Sequence, residues 1–131
     1  MFVPLSDVRR EEFDWGVIGW RLVPSKGAEH LVVMDVELQP GGGHDFHRHP
    51  GQEEVIIVKE GTIIQYLDQE SRTLTAGDSV LVPAGVVHAS FNDDEHQTAF
   101  LQVVISPSLG GETGYGLEDV ADQDPWASLR G

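Results

Sequence analysis

The sequence predicts an all-β fold, a sandwich or a barrel, built from many short strands. Apolar and polar residues alternate over several short segments, which is the period of a strand with one buried face. Turn-forming Gly, Pro, Asn and Asp residues separate these segments at short intervals. Helical periodicity over ten or more residues is absent, apart from a weak pattern at 117–124. Short strands with such regular turns are typical of sandwiches and barrels.

The first two strands are predicted at 17–23 and 29–38. In the second, Val32, Met34 and Val36 share one face, and acidic residues occupy most of the other face. This pattern indicates a strand with one face in the core and one face in water. Further strands are predicted at 44–49, 54–59, 62–67, 72–75, 79–82, 87–91 and 98–105.

The 131 residues are predicted to form one domain, since domains usually contain about 100–200 residues. Residues 1–106 hold the predicted strands and are expected to form a single barrel. Residues 107–131 are rich in Gly and acidic residues, and we interpret them as an extended arm or a frayed tail. Tyr115 and Trp126 are candidates to anchor this arm on the barrel or on a second subunit, and partial disorder is the alternative.

The charge balance excludes several classes of partner. The chain has 8 Lys and Arg residues against 22 Asp and Glu residues, a formal net charge of −14. Such a surface repels phosphate backbones and anionic lipids, so neither a nucleic-acid nor a membrane partner is expected. The absence of cysteine excludes disulfides, thiolate catalysis and cysteine-ligated zinc. Residues 1–14 lack the apolar core of a secretory signal, so a cytoplasmic location is expected.

Two histidines are the first candidate metal ligands. His47 and His49 point to the same side, because residues i and i+2 of a strand share a face. The Pro50-Gly51 turn then redirects the chain into the next strand. On that strand Glu54 is preferred to the preceding glutamate, which shares its face with the charged Lys59.

His88 is the third candidate imidazole, and it follows a turn signal at Pro83-Ala84-Gly85. Three neutral imidazoles and one carboxylate suit a single divalent transition-metal ion. Iron or manganese is favoured as that ion, and nickel, cobalt or zinc also fit. An octahedral ion with four protein ligands keeps two positions for substrate, water or O₂. A closed structural zinc site is the least favoured alternative.

Two spaced motifs frame these candidate ligands. The first reads Gly41-x5-His47-x-His49-x4-Glu54-x6-Gly61, and the second reads Gly77-x5-Pro83-x-Gly85-x2-His88-x3-Asn92. Together with the short segment 62–76 between them, they resemble the two motifs of small single-domain bacterial cupins. The resemblance implies a double-stranded β-helix, or jelly roll, with one metal ion in the barrel mouth held by His47, His49, Glu54 and His88. It also implies a homodimer paired through sheet edges and N-terminal strands, for which residues 2–4 and the arm are candidates.

Several further polar residues are candidates for the lining of the pocket. Tyr66 and Gln102 carry strong polar groups on predicted barrel strands and are candidate catalytic residues, although outward solvation of Gln102 is equally compatible with the pattern. Asp45 shares the face of the two histidines, but a solvated position at the strand start is preferred. His44 lies on the opposite face and is expected at the surface. Arg48 is predicted to point outward, and with no other cation predicted inside the barrel a sugar-phosphate substrate is disfavoured.

The resemblance and the residues together indicate a mononuclear metalloenzyme that acts on a small organic molecule. A dioxygenase is one class, and an isomerase, lyase or cyclase acting on a sugar acid or carbonyl compound is another. Glu54 is expected to tune the charge of the ion and to be a candidate proton acceptor. The alternative is a non-catalytic module that uses the metal to bind or sense a small molecule.

Overall fold

The computed structural model describes residues 1–130, and its regular secondary structure is almost entirely β-strand. The eleven strands are β1 Arg9–Phe13, β2 Gly16–Leu22, β3 Val32–Leu38, β4 Gly43–Arg48, β5 Glu53–Glu60, β6 Thr62–Leu67, β7 Glu70–Thr75, β8 Ser79–Val82, β9 His88–Phe91, β10 Ala99–Ser106 and β11 Glu118–Asp119. Single-turn 3₁₀ helices lie at Leu5–Asp7, Pro24–Lys26 and Trp126–Ser128. Each of them has three residues, whereas a membrane-spanning helix needs about 20.

The strands form two antiparallel sheets that face each other. The larger sheet has the order β1-β2-β3-β10-β5-β8, and the smaller has the order β11-β4-β9-β6-β7. Strands distant in the chain are neighbours in each sheet, since β10 lies between β3 and β5. This two-sheet arrangement confirms the predicted all-β jelly roll.

Most strands lie within a few residues of their predicted positions. The exceptions are β1 and the two-residue β11, which the sequence did not indicate, and β3, which begins at Val32 rather than at residue 29. The weak helical pattern at 117–124 does not form a helix, since β11 lies within it. All five residues of β1 are exposed, so the strand has no apolar alternation to reveal it. It forms because its backbone pairs with β2 from Arg9 to Phe13.

The main core lies between the two sheets. Burial alternates strictly along β3, where Val32, Met34, Val36 and Leu38 point inward. The inward residues of β2, β5 and β10 complete one apolar cluster with them. Burying one aliphatic side chain of this kind stabilises the folded state by roughly 1.5–3 kcal/mol relative to leaving it in water.

A second apolar cluster covers the outer face of the smaller sheet. Its buried members are Phe46, Val87, Ala89 and Val120, and the last of these belongs to the arm, residues 107–130. The arm adds β11 to the edge of β4 and packs its 3₁₀ helix against this cluster. Its end is held by polar contacts: the Trp126 indole donates to Asp68 at 3.1 Å, and the Arg130 guanidinium donates to Asp93 at 2.8 and 3.0 Å.

Replacing Phe46 by Ala tests whether the arm and the barrel unfold as one unit. The ring is 2% exposed, so Phe46→Ala should cost about 3–5 kcal/mol of unfolding free energy in a urea titration. Phe100→Ala is the matched control, because its ring is 37% exposed and should cost far less. Equal losses in the two variants would show that the second cluster does not contribute to the cooperative fold.

Candidate metal centre

Three histidines converge inside the barrel. His47 lies on β4 directly opposite His88, the first residue of β9, and His49 follows β4 by one residue. One nitrogen atom from each ring lies within 4.8 Å of the others, and all three residues are almost fully buried. The alternation of β4 and the turn before β9 therefore bring together the three imidazoles that the sequence singled out.

Backbone carbonyls hold one nitrogen of each ring. The Nδ1 atoms of His47, His49 and His88 lie 2.6, 2.5 and 3.0 Å from the carbonyl oxygens of Asp45, Gly116 and Val86, respectively. A carbonyl only accepts, so each Nδ1 carries the proton and donates it. Each Nε2 then carries no proton and has a free lone pair, which is the form in which an imidazole nitrogen binds a metal.

Glu54 places its carboxylate among these nitrogens. Its Oε1 lies 2.6 Å from Nε2 of His88, and its Oε2 lies 3.6 Å from Nε2 of His49. Within residues 1–130, the Nε2 atoms of His49 and His88 and Oε1 of Glu54 are buried without a hydrogen-bond partner. Two lone-pair atoms at 2.6 Å repel each other, and a buried polar group without a partner costs about 1–3 kcal/mol. A cation between them removes both penalties, so these residues fit a metal ion.

Burial favours the neutral form of His47 and His49. It lowers the pKa of His47 well below the ordinary histidine value, and the neighbouring imidazoles add to this effect. Burial also lowers the pKa of His49, although the carboxylate of Glu54 and the Gly116 carbonyl oppose the shift. A neutral ring does not repel an incoming cation, so the buried cluster suits a divalent ion.

His44 is a fourth histidine at the centre, and its predicted surface position was wrong. The pairing of β4 with β9 matches His44 to Ser90 and His47 to His88, so β4 contains one extra residue between these pairs. This β-bulge turns His44 to the inner face and leaves Asp45 exposed. The His44 ring stacks on that of His47 with centroids 3.8 Å apart, and burial lowers its pKa to about 4.

The structure does not bring the two other catalytic candidates to the histidines. Tyr66 belongs to the second apolar cluster, with its ring 5.0 Å from that of Phe46. Its neighbour Gln65 faces the interior instead and accepts a hydrogen bond from Ser90 at 2.6 Å. Gln102 points outward from β10 and donates to a carboxylate oxygen of Asp35 at 2.7 Å. Neither Tyr66 nor Gln102 therefore reaches a molecule bound at the histidines.

The arm supplies a residue that sequence reasoning treated only as an anchor. The ring of Tyr115 lies 4.9 Å from that of His49 and meets the ring of Trp20 edge-on at 5.7 Å. Burial and the charge of Glu54 raise the pKa of Tyr115 well above the ordinary tyrosine value. The sequence carried no signal for this position, because the contact joins residues far apart in the chain.

Gln52 fixes the arm beside the metal centre. This side chain is 1% exposed, and its amide donates to the carbonyl oxygens of Pro107 and Gly114, both at 2.9 Å. Its own oxygen accepts from the backbone nitrogen of Gly116 at 3.0 Å. Since the Gly116 carbonyl holds the ring of His49, Gln52 positions a candidate ligand through the arm.

A cleft connects the centre to solvent. A small cavity of about 30 Å³ lies inside the barrel beside Glu54 and His88. An outer cleft of about 490 Å³ adjoins it. His44 and His47 line both spaces. The cleft carries Asp14 and further carboxylates but, among the described residues, no Lys or Arg. Arg48 instead points outward and pairs with Glu118 at 2.5 Å.

The chain is similar to proteins of one family. The family model described as "Cupin domain" matches residues 34–104. A germin-like protein of Morus alba is 33% identical over 79 residues, which are 56% of this chain and 38% of that protein. The chain thus spans about two-fifths of the length of the curated relatives first matched.

Solved structures show the same fold. The polyketide cyclase RemF of Streptomyces resistomycificus superposes with a TM-score of 0.71 at 22% identity, covering 98% of this chain and 97% of that one. A predicted oxalate decarboxylase of Thermotoga maritima superposes with a TM-score of 0.72 at 18% identity, covering 82% and 99%. The first of these similarities includes the arm.

Replacing Gln52 by Ala tests the link between the arm and the centre. The variant leaves two buried carbonyls and one backbone amide without this partner, so its unfolding free energy should fall by about 2–5 kcal/mol in urea. Limited proteolysis should cut the arm faster than in the unaltered protein. Gln97→Ala, at an exposed loop position, is the control and should change neither readout. An arm equally resistant in both variants would contradict this assignment.

Proposed function

This chain belongs to the cupin domain family, and we propose that it is a mononuclear metalloenzyme acting on a small organic molecule. One observation carries the proposal. Two imidazole Nε2 atoms and a carboxylate oxygen face one another in a buried cluster without hydrogen-bond partners among the described residues. Such an arrangement is unfavourable unless a cation binds there.

The proposed ligands are His47, His49, His88 and Glu54, with iron or manganese as the favoured ion. Three nitrogens and one carboxylate leave two positions of an octahedral ion free. When bound, such an ion supplies a Lewis acid for a substrate oxygen, and iron also supplies redox chemistry with O₂.

The residues around the ligands would prepare the site for proton transfer. The carbonyl contacts of the three Nδ1 atoms hold the rings in place, so little reorganisation is needed when a substrate binds. The Glu54 carboxylate, which lies against the imidazoles of His49 and His88, would balance the positive charge of the ion and is the candidate base for a proton on a substrate carbon or hydroxyl. Tyr115 and the arm cover one side of the site and exclude water from it.

The reaction class follows from this chemistry. Proton abstraction beside a carbonyl serves an isomerase, a lyase or a cyclase, whereas O₂ chemistry serves a dioxygenase. The similarity to a polyketide cyclase over nearly the whole chain supports the first group. The absence of Lys and Arg from the described lining disfavours phosphorylated substrates.

A non-catalytic binding or sensing module is the second candidate. It is favoured by the positions of Tyr66 and Gln102, since two of the three candidate catalytic side chains lie away from the histidines. Such a module would bind metal and ligand at the same cluster without turning the ligand over.

We also propose a cytoplasmic homodimer. The edge strand β1 is exposed along its whole length, and Phe2 and Leu5 before it are exposed as well. An uncovered edge with apolar residues beside it favours pairing with a second copy. Light scattering of the purified protein tests this, and a monomer mass at high concentration would overturn it.

The metal content of untagged protein, purified without a nickel column, tests the ligand set. We expect about one iron or manganese per chain by elemental mass spectrometry. His88→Ala should lose most of the metal, because it removes one of four ligands. His96→Ala, in an exposed loop, should keep it. No bound metal, and no uptake of added metal, would overturn the assignment.

The number of free coordination positions separates an open catalytic site from a closed structural one. Protein loaded with Mn(II) should strongly enhance water proton relaxation, because open positions exchange water with the solvent. Zinc-loaded protein provides the diamagnetic baseline. Relaxation no greater than that expected from a fully enclosed ion would favour the structural site and count against catalysis.

A further inference from the structure

Aromatic side chains gather where the metal centre meets solvent. A groove of about 270 Å³ at this point is lined by Phe13, Trp15, Trp20 and Tyr115, which we call the aromatic mouth, and by His44. Trp15 and Tyr115 are only half-buried and Phe13 is 37% exposed, whereas Trp20 is 4% exposed and forms the inner wall of the groove as part of the main core. Aromatic rings needed only for the core would be covered, so their exposure at one place indicates a binding surface.

One aromatic group is a continuous stack. The Phe13 and Trp15 rings are nearly parallel with centroids 5.1 Å apart, and Trp15 stacks on His44 at 4.9 Å. His44 in turn stacks on the candidate ligand His47. The stack therefore runs without interruption from the surface to the metal centre.

The second aromatic group is the pair of Trp20 and Tyr115. Tyr115 contacts the candidate ligand His49, so this group also ends at the metal centre. The indole nitrogen of Trp20 donates to Glu11 at 2.9 Å, which fixes the orientation of the ring. Both groups line the same groove, and its inner end is continuous with the candidate site.

The charges around the mouth disfavour an anionic ligand. Among the described residues that line it, the only charged side chain is Glu11. Arg9 lies 5.8 Å from the Trp20 ring, but it pairs with Glu11 and Glu112, both at 3.7 Å. Asp14 in the adjoining cleft adds further negative charge. A carboxylate or phosphate entering here would meet repulsion and no free cation.

We propose that the aromatic mouth binds a planar, conjugated ring molecule that carries no negative charge, and directs one of its oxygen atoms toward the histidines. Flat faces and edges of aromatic rings pack best against another flat ring system. The orientation toward the histidines rests on the proposed function, because it presumes a metal ion that receives the oxygen. Binding at the mouth itself does not require the metal.

The three tryptophans allow a direct test with 2-naphthol, which is planar and uncharged at neutral pH. In ¹⁵N–¹H spectra, the indole signals of Trp15 and Trp20 should shift on titration. The signal of Trp126 should not shift, because this residue packs against the second apolar cluster and does not line the groove. Single Trp→Phe variants assign the three signals. Shifts at Trp126 alone, or no shifts at all, would overturn the proposal.

Matched probes test planarity and charge. Decahydro-2-naphthol has the same carbon skeleton without a flat face, and 2-naphthoate is flat but anionic, so each should bind at least about tenfold more weakly. Equal binding of the saturated alcohol would overturn the planar preference, and equal binding of 2-naphthoate would overturn the exclusion of anions.

Variants connect the affinity to the mouth. Trp15→Ala should weaken 2-naphthol binding about tenfold, and Trp126→Phe should leave it unchanged. If the ¹⁵N–¹H spectrum shows that Trp15→Ala fails to fold, Tyr115→Leu takes its place and should also weaken 2-naphthol binding about tenfold. Unaltered affinity in a folded mouth variant would overturn the proposal.

Titrations with and without metal separate the two hypotheses. Shifts of Trp15 and Trp20 in protein that never binds metal would preserve the aromatic mouth and overturn the proposed function. Metal uptake without naphthol binding would overturn the aromatic mouth and leave the proposed function standing. If both hold, metal loading should tighten 2-naphthol binding, because the metal receives the hydroxyl oxygen.

Discussion

The buried contact between the Glu54 carboxylate and the unprotonated imidazole nitrogens is the constraint on which the rest of the structure depends. The side chains of His47, His49, His88 and Glu54 lie buried together in a small barrel, beside its apolar core. Backbone carbonyls accept a hydrogen bond from the Nδ1 atom of each ring. No described group forms a hydrogen bond with the Nε2 atoms of His49 and His88. This arrangement lowers the stability of the fold, and a cation bound between these atoms would remove that penalty.

The barrel alone does not complete this site, because the arm supplies one of the orienting carbonyls. Gly116 holds the ring of His49, and Gln52 holds Gly116 through a buried amide network. The far end of the arm is fixed independently by the second apolar cluster and by the ion pair of Arg130 with Asp93. The arm must therefore dock on the barrel for the ring of His49, a candidate metal ligand, to be held in its orientation.

Positive charge is kept on the outside of the barrel. Arg21 pairs with Asp35 on the outer face of the larger sheet, where Gln102 joins the same carboxylate. Arg48 pairs with the arm, again facing outward. The entrance to the centre is left with aromatic rings and carboxylates, so shape, ring stacking and the repulsion of anions are the forces available there to select a ligand.

Local patterns in the chain predict most of the strands, the turns and three inward imidazoles, because strand alternation and Gly or Pro turns are properties of neighbouring residues. His47 and His49 follow from a spacing of two, and His88 follows from a turn. Tertiary structure alone decided the place of His44, because its bulge exists only in the pairing of β4 with β9. It also decided the place of Tyr115, whose contact with His49 spans 66 positions of the chain and depends on how the arm folds back. Periodicity carries no information about contacts between such distant segments, since they are set by packing and pairing across the whole fold.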